Sequence, residues 1–173
     1  GAGDDADRGD RSADRVVENA GEGTDTVQSG AGYVLSANVE RLVLGGTAAN
    51  GTGNASPNAI TGNNAANSLV GNGGGDALIG NAGNDSLIGG LGTDNLNGGA
   101  NDDLLRGGTG NDTLTGGTGA DRFRFDTALP GNVDKIADFS GVDDTIQLEN
   151  AIFTGLATTG TLATGITVIT IEF

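Results

Sequence analysis

A large apolar residue recurs every nine positions through the middle of the chain, and an aspartate stands two positions before each one. Residues 71–124 divide without a gap into six nonapeptides, each with a glycine-rich first half, Asp at the sixth position and the apolar residue at the eighth. A helix has a period of 3.6 residues, so this pattern instead predicts one loop and one short strand per unit, stacked as a solenoid. The six units read GNGGGDALI, GNAGNDSLI, GGLGTDNLN, GGANDDLLR, GGTGNDTLT and GGTGADRFR.

The apolar residues at the eighth position are predicted to point inward and to form a thin core. The chain has 173 residues, enough for one domain, but it contains 34 Gly, no Trp and only 3% aromatic residues. It therefore lacks the large side chains of an ordinary globular core, and we expect something besides packing to hold it together. The predicted core residues are Leu78, Leu87, Leu96, Leu105, Leu114 and Phe123.

Negative charge accumulates along the same pattern. Asp and Glu number 23 against 8 Lys and Arg, giving a net charge of -15, so self-repulsion opposes the compact state unless cations bind. Carboxylates about 4 Å apart repel by roughly 4 kcal/mol at an effective dielectric constant near 20. A run of acidic residues is usually a solvated face, but the regular spacing here favours metal binding. Carboxylate and glycine carbonyl oxygens in flexible loops favour Ca²⁺ over Mg²⁺.

The composition also excludes several chemistries. The chain has no Cys and no His, so disulfides, thiolate sites and a Ser-His pair are absent, and Zn²⁺ is disfavoured. Catalysis would have to rest on the aspartates, which are committed to metal, and we therefore predict that this chain is not itself an enzyme. Eight basic residues and one Tyr give no plausible nucleic-acid face. No apolar run reaches the roughly 18 residues of a transmembrane segment.

Residues 1–44 carry a looser version of the repeat and are predicted to be an irregular β segment. The stretch AGEGTDTVQ, Ala20 to Gln28, places Asp25 sixth, and Asp5 closes an earlier loop of the same kind. Asp5 and Asp25 are thus predicted to form a further calcium site. Between Tyr33 and Leu44, alternation predicts two short strands.

Residues 45–70 keep the period but change the residue at the sixth position. Asn58 and Asn67 stand where the later units have Asp. Asn is neutral and can stack without a cation, so we interpret these as metal-free solenoid turns filled by Ile60 and Leu69. A disordered Gly/Asn/Ala linker is the alternative that composition alone would favour.

The six nonapeptides follow the GGxGxDxUx signature and closely resemble the RTX, or hemolysin-type, calcium-binding repeats. The resemblance implies an all-β fold, a right-handed parallel β-roll in which two nonapeptides make one turn, so that aspartates eighteen positions apart meet. It implies four complete calcium sites and therefore about four or more Ca²⁺ ions: Asp76 with Asp94, Asp85 with Asp103, Asp94 with Asp112, and Asp103 with Asp121. Asn58 faces Asp76 and Asn67 faces Asp85. Each of these two pairs has one carboxylate in place of two, so they are expected to be half-strength calcium positions.

Backbone carbonyl groups of the glycine-rich halves are predicted to complete these sites. Asn72, Asn81 and Asn101 replace glycines of the signature, and Asn tolerates the left-handed region well enough for the loop to survive. Asp102, beside Asp103, is predicted to be exposed rather than coordinating. The glycines that contribute carbonyls are Gly71, Gly73, Gly74, Gly80, Gly83, Gly89, Gly90, Gly92, Gly98, Gly99, Gly107, Gly108, Gly110, Gly116, Gly117 and Gly119.

Residues 125–173 are predicted to be a C-terminal β cap, because an open solenoid end exposes unpaired strand edges. Its apolar end, TLATGITVITIEF, with an acidic residue next to last, is interpreted either as a secretion-signal region or as a truncated end. The junction resembles serralysin-type secreted metalloproteases, with their GADxFxF junction at Gly119 to Phe125 and their DxIxDF segment at Asp134 to Phe139. Asp134 and Asp138 are candidate ligands of an additional ion. For each, a carboxylate facing water is at least as good an interpretation.

The residues and the resemblance together predict a calcium-binding RTX module, residues 71–124, that folds on Ca²⁺ binding outside a bacterial cell. The resemblance implies a secreted protein, the type I secretion machinery as a partner, and a covalently linked catalytic or adhesive domain. The alternative is an adhesive or polysaccharide-associated module, as in surface adhesins and alginate epimerases. That alternative requires Thr- and Asn-rich turns, such as 52–54 and 61–64, to line one flat face.

Overall fold

The computed structural model describes residues 3, 6–9, 16–127, 132–149 and 169–171. These residues contain strands and connecting turns but no helix. In chain order the strands are β1 (Ala6–Gly9), β2 (Thr26–Ser29), β3 (Tyr33–Val34), β4 (Arg41–Leu44), β5 (Asn50–Thr52), β6 (Ala59–Thr61), β7 (Ser68–Gly73), β8 (Ala77–Ala82), β9 (Ser86–Leu91), β10 (Asn95–Ala100), β11 (Leu104–Thr109), β12 (Thr113–Thr118), β13 (Arg122–Phe125), β14 (Asp134–Ile136), β15 (Thr145–Leu148) and β16 (Ile169–Ile171).

The strands form two parallel sheets that the chain visits alternately. Sheet A has the order β1-β2-β4-β6-β8-β10-β12-β14-β16, and sheet B has the order β15-β13-β11-β9-β7-β5-β3. Through the repeats each strand pairs with the strand two along the chain, as Leu78 with Leu96 in sheet A and Leu87 with Leu105 in sheet B. The predicted parallel β-roll, with two nonapeptides to a turn, is therefore confirmed. Loops from sheet B to sheet A run along one edge of the roll, and those from A to B along the other.

From β6 to β12 the core is a row of one large apolar side chain per strand, whereas β5 buries only Gly51. All six predicted core residues, from Leu78 to Phe123, are fully buried. Successive side chains of a strand point to opposite faces, so the same strands that bury leucine expose their flanking residues. The core is wider before the repeats, where Tyr33, Leu35, Val39 and Leu44 are also buried.

The segment after the repeats continues both sheets instead of changing architecture. Alternation of apolar and polar residues predicts strands at 122–125, 134–139 and 145–148. The first and last are present as β13 and β15, and β14 covers the start of the second. β14 pairs in parallel with β12, and β15 pairs in parallel with β13. A separate β cap with a secretion signal stays a prediction, since residues 150–168 and 172–173 lie outside the described part of the chain.

Candidate metal centres

Two rows of acidic or amide side chains follow the two edges of the roll. Each member stands at or directly before the first residue of a strand, where the loop ends and the sheet begins. Two names are used below: the aspartate repeats are residues 71–124, and the asparagine segment is residues 45–70. The edge leading into sheet A carries Asp25, Glu40, Asn58, Asp76, Asp94, Asp112 and Asp134, and the edge leading into sheet B carries Asn67, Asp85, Asp103, Asp121 and Asp144.

One carboxylate oxygen of each aspartate is tied to the preceding turn. The Oδ1 atom of Asp94 accepts a hydrogen bond from the backbone N–H of Asp76 at 2.8 Å, and Oδ1 of Asp112 accepts one from Asp94 at 2.9 Å. On the other edge, Asp103 and Asp121 accept in the same way from Asp85 and Asp103. The structure thus brings each predicted pair of aspartates onto adjacent turns.

The second carboxylate oxygen has no donor. In each of the six aspartates the Oδ2 atom is buried without a hydrogen-bond partner, and the residues are at most 3% exposed. A Cβ built on Gly71 would lie closer than 3.0 Å both to Oδ2 of Asp76 and to the carbonyl oxygen of Gly89 on the next turn. Two acceptors therefore share the space beside Gly71 with no N–H or O–H between them. The same pair of acceptors recurs beside Gly80 and Gly89, at Asp85 and Asp94. The unpartnered Oδ2 atom recurs in all six aspartates, Asp76, Asp85, Asp94, Asp103, Asp112 and Asp121.

The backbone conformation of the loop explains the missing donor. The second and fourth positions of all six nonapeptides have positive φ, for instance Asn72 at 79° and Gly74 at 98°. Asn81 and Asn101 adopt the same conformation, as expected from their place in the repeat. A Cβ on Gly92 would overlap the carbonyl oxygen of Gly74. The loops thus bring carbonyl oxygens against the neighbouring turn, and no loop N–H group reaches the Oδ2 atoms.

Burial raises the pKa of all six aspartates. The pKa of Asp94 rises to about 6, and that of Asp103 to about 7, first through loss of solvation and then through the charges of the aspartates on adjacent turns. The pKa values of Asp76, Asp85, Asp112 and Asp121 also rise because of burial. Ionised carboxylates in these positions are destabilising unless a positive charge compensates them.

In the asparagine segment, amide side chains give the buried polar atoms hydrogen-bond partners within the protein. The Oδ1 atom of Asn58 accepts the N–H of Asn54 at 2.7 Å, and its Nδ2 donates to the carbonyl of Val39 at 3.0 Å. Asn67 is bound in the same way by Asn63 and Ala48. Neither side chain retains an unpartnered buried atom. The geometry favours the metal-free interpretation of Asn58 and Asn67 over their roles as half-strength ligand positions.

The remaining candidates fall in different places. Asp5 lies outside the described residues, so its predicted site with Asp25 stays a prediction. In the described part of the chain, the N–H of Asp25 donates to the carboxylate of Glu40, which stands where the next aspartate stands in later turns. Asp134 continues the row, because its Oδ1 accepts the N–H of Asp112 at 3.0 Å, and burial raises its pKa to about 7.

Asp138 and Asp102 hold backbone N–H groups. The two oxygens of Asp138 accept the N–H groups of Gly116 and Gly117, at 2.9 and 2.8 Å. This contact gives Asp138 a structural role at the end of the repeats. Asp102 is exposed, as expected, and its carboxylate accepts the N–H of Ala120.

The sequence assigns no site to Glu40, and it offers Asp144 as a candidate ligand of an additional ion, with a carboxylate facing water as an equally good interpretation. Asp144 accepts the N–H of Asp121 with Oδ1 and that of Ser140 with Oδ2. Both residues share a short signal with the repeats, an acidic residue followed by any residue and then an apolar one, as in Glu40-Arg41-Leu42. In Glu40 and Asp144 the triplet is not part of a complete nonapeptide, so the nine-residue pattern does not reveal it.

The donor set fits calcium. Hard oxygen ligands, two carboxylates at most per gap and backbone carbonyls match the six to eight oxygens that Ca²⁺ takes. Among the described residues no three acidic side chains converge on one point, so carbonyl groups would have to supply the other ligands. The same residues include no helix that could span a membrane.

Comparison with known proteins agrees with this chemistry. Four overlapping copies of the RTX calcium-binding nonapeptide repeat match the chain, at residues 52–87, 61–96, 70–105 and 97–126. These matches span residues 52–126 and show RTX repeats, a family that binds Ca²⁺. The matched range begins within the asparagine segment, whose sixth positions carry Asn instead of Asp. No curated protein and no solved structure matched the chain. The resemblance of residues 119–139 to serralysin-type proteases stays a prediction.

Proposed function

We propose that this chain is a calcium-dependent folding module of a secreted bacterial protein. The side-chain ligands are the six aspartates of the repeats, in the pairs Asp76 with Asp94, Asp85 with Asp103, Asp94 with Asp112, and Asp103 with Asp121. One observation carries the proposal: six buried Oδ2 atoms have no donor, and those of Asp76, Asp85 and Asp94 share their space with a carbonyl oxygen of the next turn. A divalent ion in each gap turns this repulsion into attraction.

Calcium binding of ordinary extracellular strength is enough to control folding. Extracellular calcium modules bind with dissociation constants of about 10⁻⁴ to 10⁻³ M. At a concentration about ten times the dissociation constant, each site contributes roughly 1.4 kcal/mol, so four sites contribute roughly 6 kcal/mol. That is comparable to the whole stability of a typical domain, about 5 to 15 kcal/mol.

The same sites add almost nothing to the free energy of unfolding at cytosolic calcium concentrations of ~10⁻⁷ M, because these are far below the dissociation constants. The aspartate repeats are then unfolded inside the cell and fold after export. This difference suits a type I system, which exports unfolded chains, and the module would stabilise a larger secreted protein once outside.

Far-UV circular dichroism tests the folding step. In EGTA the spectrum should be mainly that of a coil, and adding millimolar CaCl₂ should raise the β signal severalfold. MgCl₂ at the same concentration is the control, and we expect little change, because Mg²⁺ requires a small, nearly octahedral site. A spectrum that ignores calcium would reject the proposal.

The adhesive alternative receives no support from the arrangement of its turns. Residues 52–54 begin at the last residue of β5 in sheet B, whereas residues 61–64 begin at the last residue of β6 in sheet A. The two stretches therefore lie on opposite edges of the roll and do not line one face.

A further inference from the structure

The asparagine segment differs from the aspartate repeats in its charge as well as in its hydrogen bonds. Residues 45–70 contain no Asp, Glu, Lys or Arg, whereas residues 71–124 contain seven Asp and three Arg. No carboxylate repulsion opposes the closing of the uncharged turns. The two segments share a period, two sheets and a leucine-type core, so the difference lies in their loops.

The loop 53–58 is closed by its own side chains. Asn54 donates through Nδ2 to the carbonyls of Ser36 and Val39, at 2.7 and 2.8 Å, and accepts the N–H of Ser56 at 2.9 Å. The N–H of Asn54 points at Oδ1 of Asn58. An amide offers donors and acceptors together, whereas a carboxylate only accepts. The amides thus satisfy the loop without any ion.

The loop 62–67 repeats this arrangement on the opposite edge. Both Asn63 and Asn67 donate to the carbonyl of Ala48, at 2.7 and 2.9 Å, and Asn63 accepts the N–H of Ala65 at 2.8 Å. Neither loop uses the positive φ angles that the aspartate repeats need at their second and fourth positions. The pattern is therefore a property of the segment and not of a single turn.

Amides also join this segment to the first two aspartate repeats. The Nδ2 atoms of Asn72 and Asn81 donate to the carbonyl oxygens of Gly53 and Gly62, both at 2.8 Å. Beneath these loops lie Leu42, Ile60 and Leu69, all fully buried. The segment thus has satisfied loops, a dry core and no net charge.

We propose that the asparagine segment, together with β3 and β4 packed beside it, keeps its solenoid structure without calcium. The chain then contains a calcium-independent part and a calcium-dependent part in one continuous roll. Because solenoid units add to a formed neighbour, β6 and β7 supply the edge on which β8 and β9 assemble when calcium arrives.

Hydrogen exchange measured by mass spectrometry on the whole chain in EGTA tests this inference. We expect amides of β5, β6 and residues 68–70 to exchange at least tenfold more slowly than amides of β10 and β11. Equally fast exchange in both sets would overturn the inference. Slow exchange in both sets would leave it standing but would reject the proposed calcium-dependent folding of the repeats, so the two failures can be told apart.

A double variant, Asn58→Ala with Asn67→Ala, tests whether the amides are the cause. We expect exchange in β5 and β6 to rise at least tenfold in EGTA, to the level of the aspartate repeats. Asn64→Ala is the matched control, because Asn64 is an exposed asparagine of the same loops. Retained protection in the double variant would overturn the inference.

The variant Asn58→Asp separates the lost donor from lost volume. It keeps the shape of the side chain but faces the carbonyl of Val39 with an acceptor. We expect the same loss of protection in EGTA, and unchanged protection would count against the amide mechanism.

Discussion

The asparagine segment and the aspartate repeats build the same turn with different means of neutralising it. Both place a side chain with two polar atoms at the sixth position and bury it beneath the loop. In Asn58 both polar atoms have partners within the protein, whereas in Asp76 one oxygen has none. Where an oxygen replaces the amide nitrogen, part of the folding stability therefore comes from bound calcium and depends on the calcium concentration, instead of coming from hydrogen bonds within the chain.

The backbone has adapted to the side chain in each case. At the second position Asn72 has a φ of 79°, while Asn54 does not adopt positive φ and directs its N–H into the loop. The same residue type thus serves two opposite loop conformations. The two conformations accompany different residues at the sixth position, four residues later, Asp76 after Asn72 and Asn58 after Asn54.

The largest effect should come from making one aspartate repeat resemble the asparagine segment. In Asp94→Asn, a residue shared by two of the proposed sites loses its charge while the loop still lacks an N–H donor. We expect two fewer calcium ions per chain and a loss of about 3 kcal/mol of unfolding free energy at about ten times the dissociation constant. Isothermal titration calorimetry and urea unfolding measure both quantities.

Asp102→Asn is the control for that experiment, since Asp102 is an exposed aspartate of the same repeats, beside Asp103 on the other edge of the roll, and its bond to Ala120 survives the change. We expect the ion count to stay the same and the stability to change by less than about 0.5 kcal/mol. An equal loss in both variants would mean that overall charge, and not the buried row, governs calcium binding.

The loop backbone offers a second way to sharpen the comparison. Gly92 has a φ of 125°, and its Cβ would overlap the carbonyl oxygen of Gly74. Gly92→Ala should therefore cost about 1–3 kcal/mol in saturating calcium, measured by urea unfolding. Ser56→Ala, at the corresponding position of the asparagine segment, should cost less than about 0.5 kcal/mol. Equal costs would contradict the difference in loop conformation.

The smallest effect should be a pH response confined to the aspartate repeats. Without a cation, the pKa of Asp94 is about 6 and that of Asp103 about 7 in the folded state, above the value of about 4 in an unfolded chain. Proton binding therefore stabilises the folded repeats fully below about pH 4, and this stabilisation is lost as the pH rises through 6 to 7.

Circular dichroism in EGTA should thus show more β structure at about pH 5 than at about pH 8. With calcium present the order reverses, since protons compete with the metal for the same oxygens and raise the calcium concentration needed for folding. Less β structure at the lower pH in EGTA would refute the assignment of these pKa shifts.

Much of the fold could be predicted from the nine-residue spacing of the repeat. The spacing of Leu78 and Leu87 defines the strands, and the period assigns them to alternate sheets. The row from Asp76 to Asp121 follows from the same spacing. The positive φ of Asn101 was also predictable, because Asn tolerates that region better than other side chains.

The places where prediction failed are those where the spacing changes. The interval from Asp112 to Asp134 is 22 residues and that from Asp121 to Asp144 is 23, so a search at eighteen passes over both contacts. The role of Glu40 was hidden for the same reason, with 15 residues separating it from Asp25. Asp138 could not be assigned from sequence, since its partners are backbone N–H groups of glycines two strands earlier.

The alternation between two sheets restricts how such a chain can change in length. Deleting eighteen residues, for example 89–106, removes one strand from each sheet and rejoins every later strand to its own layer. Deleting nine would send every downstream strand to the opposite layer and shift each aspartate to the other edge. Duplications and deletions in this molecule are therefore expected to involve whole turns of the roll, so its length should change in steps of eighteen residues.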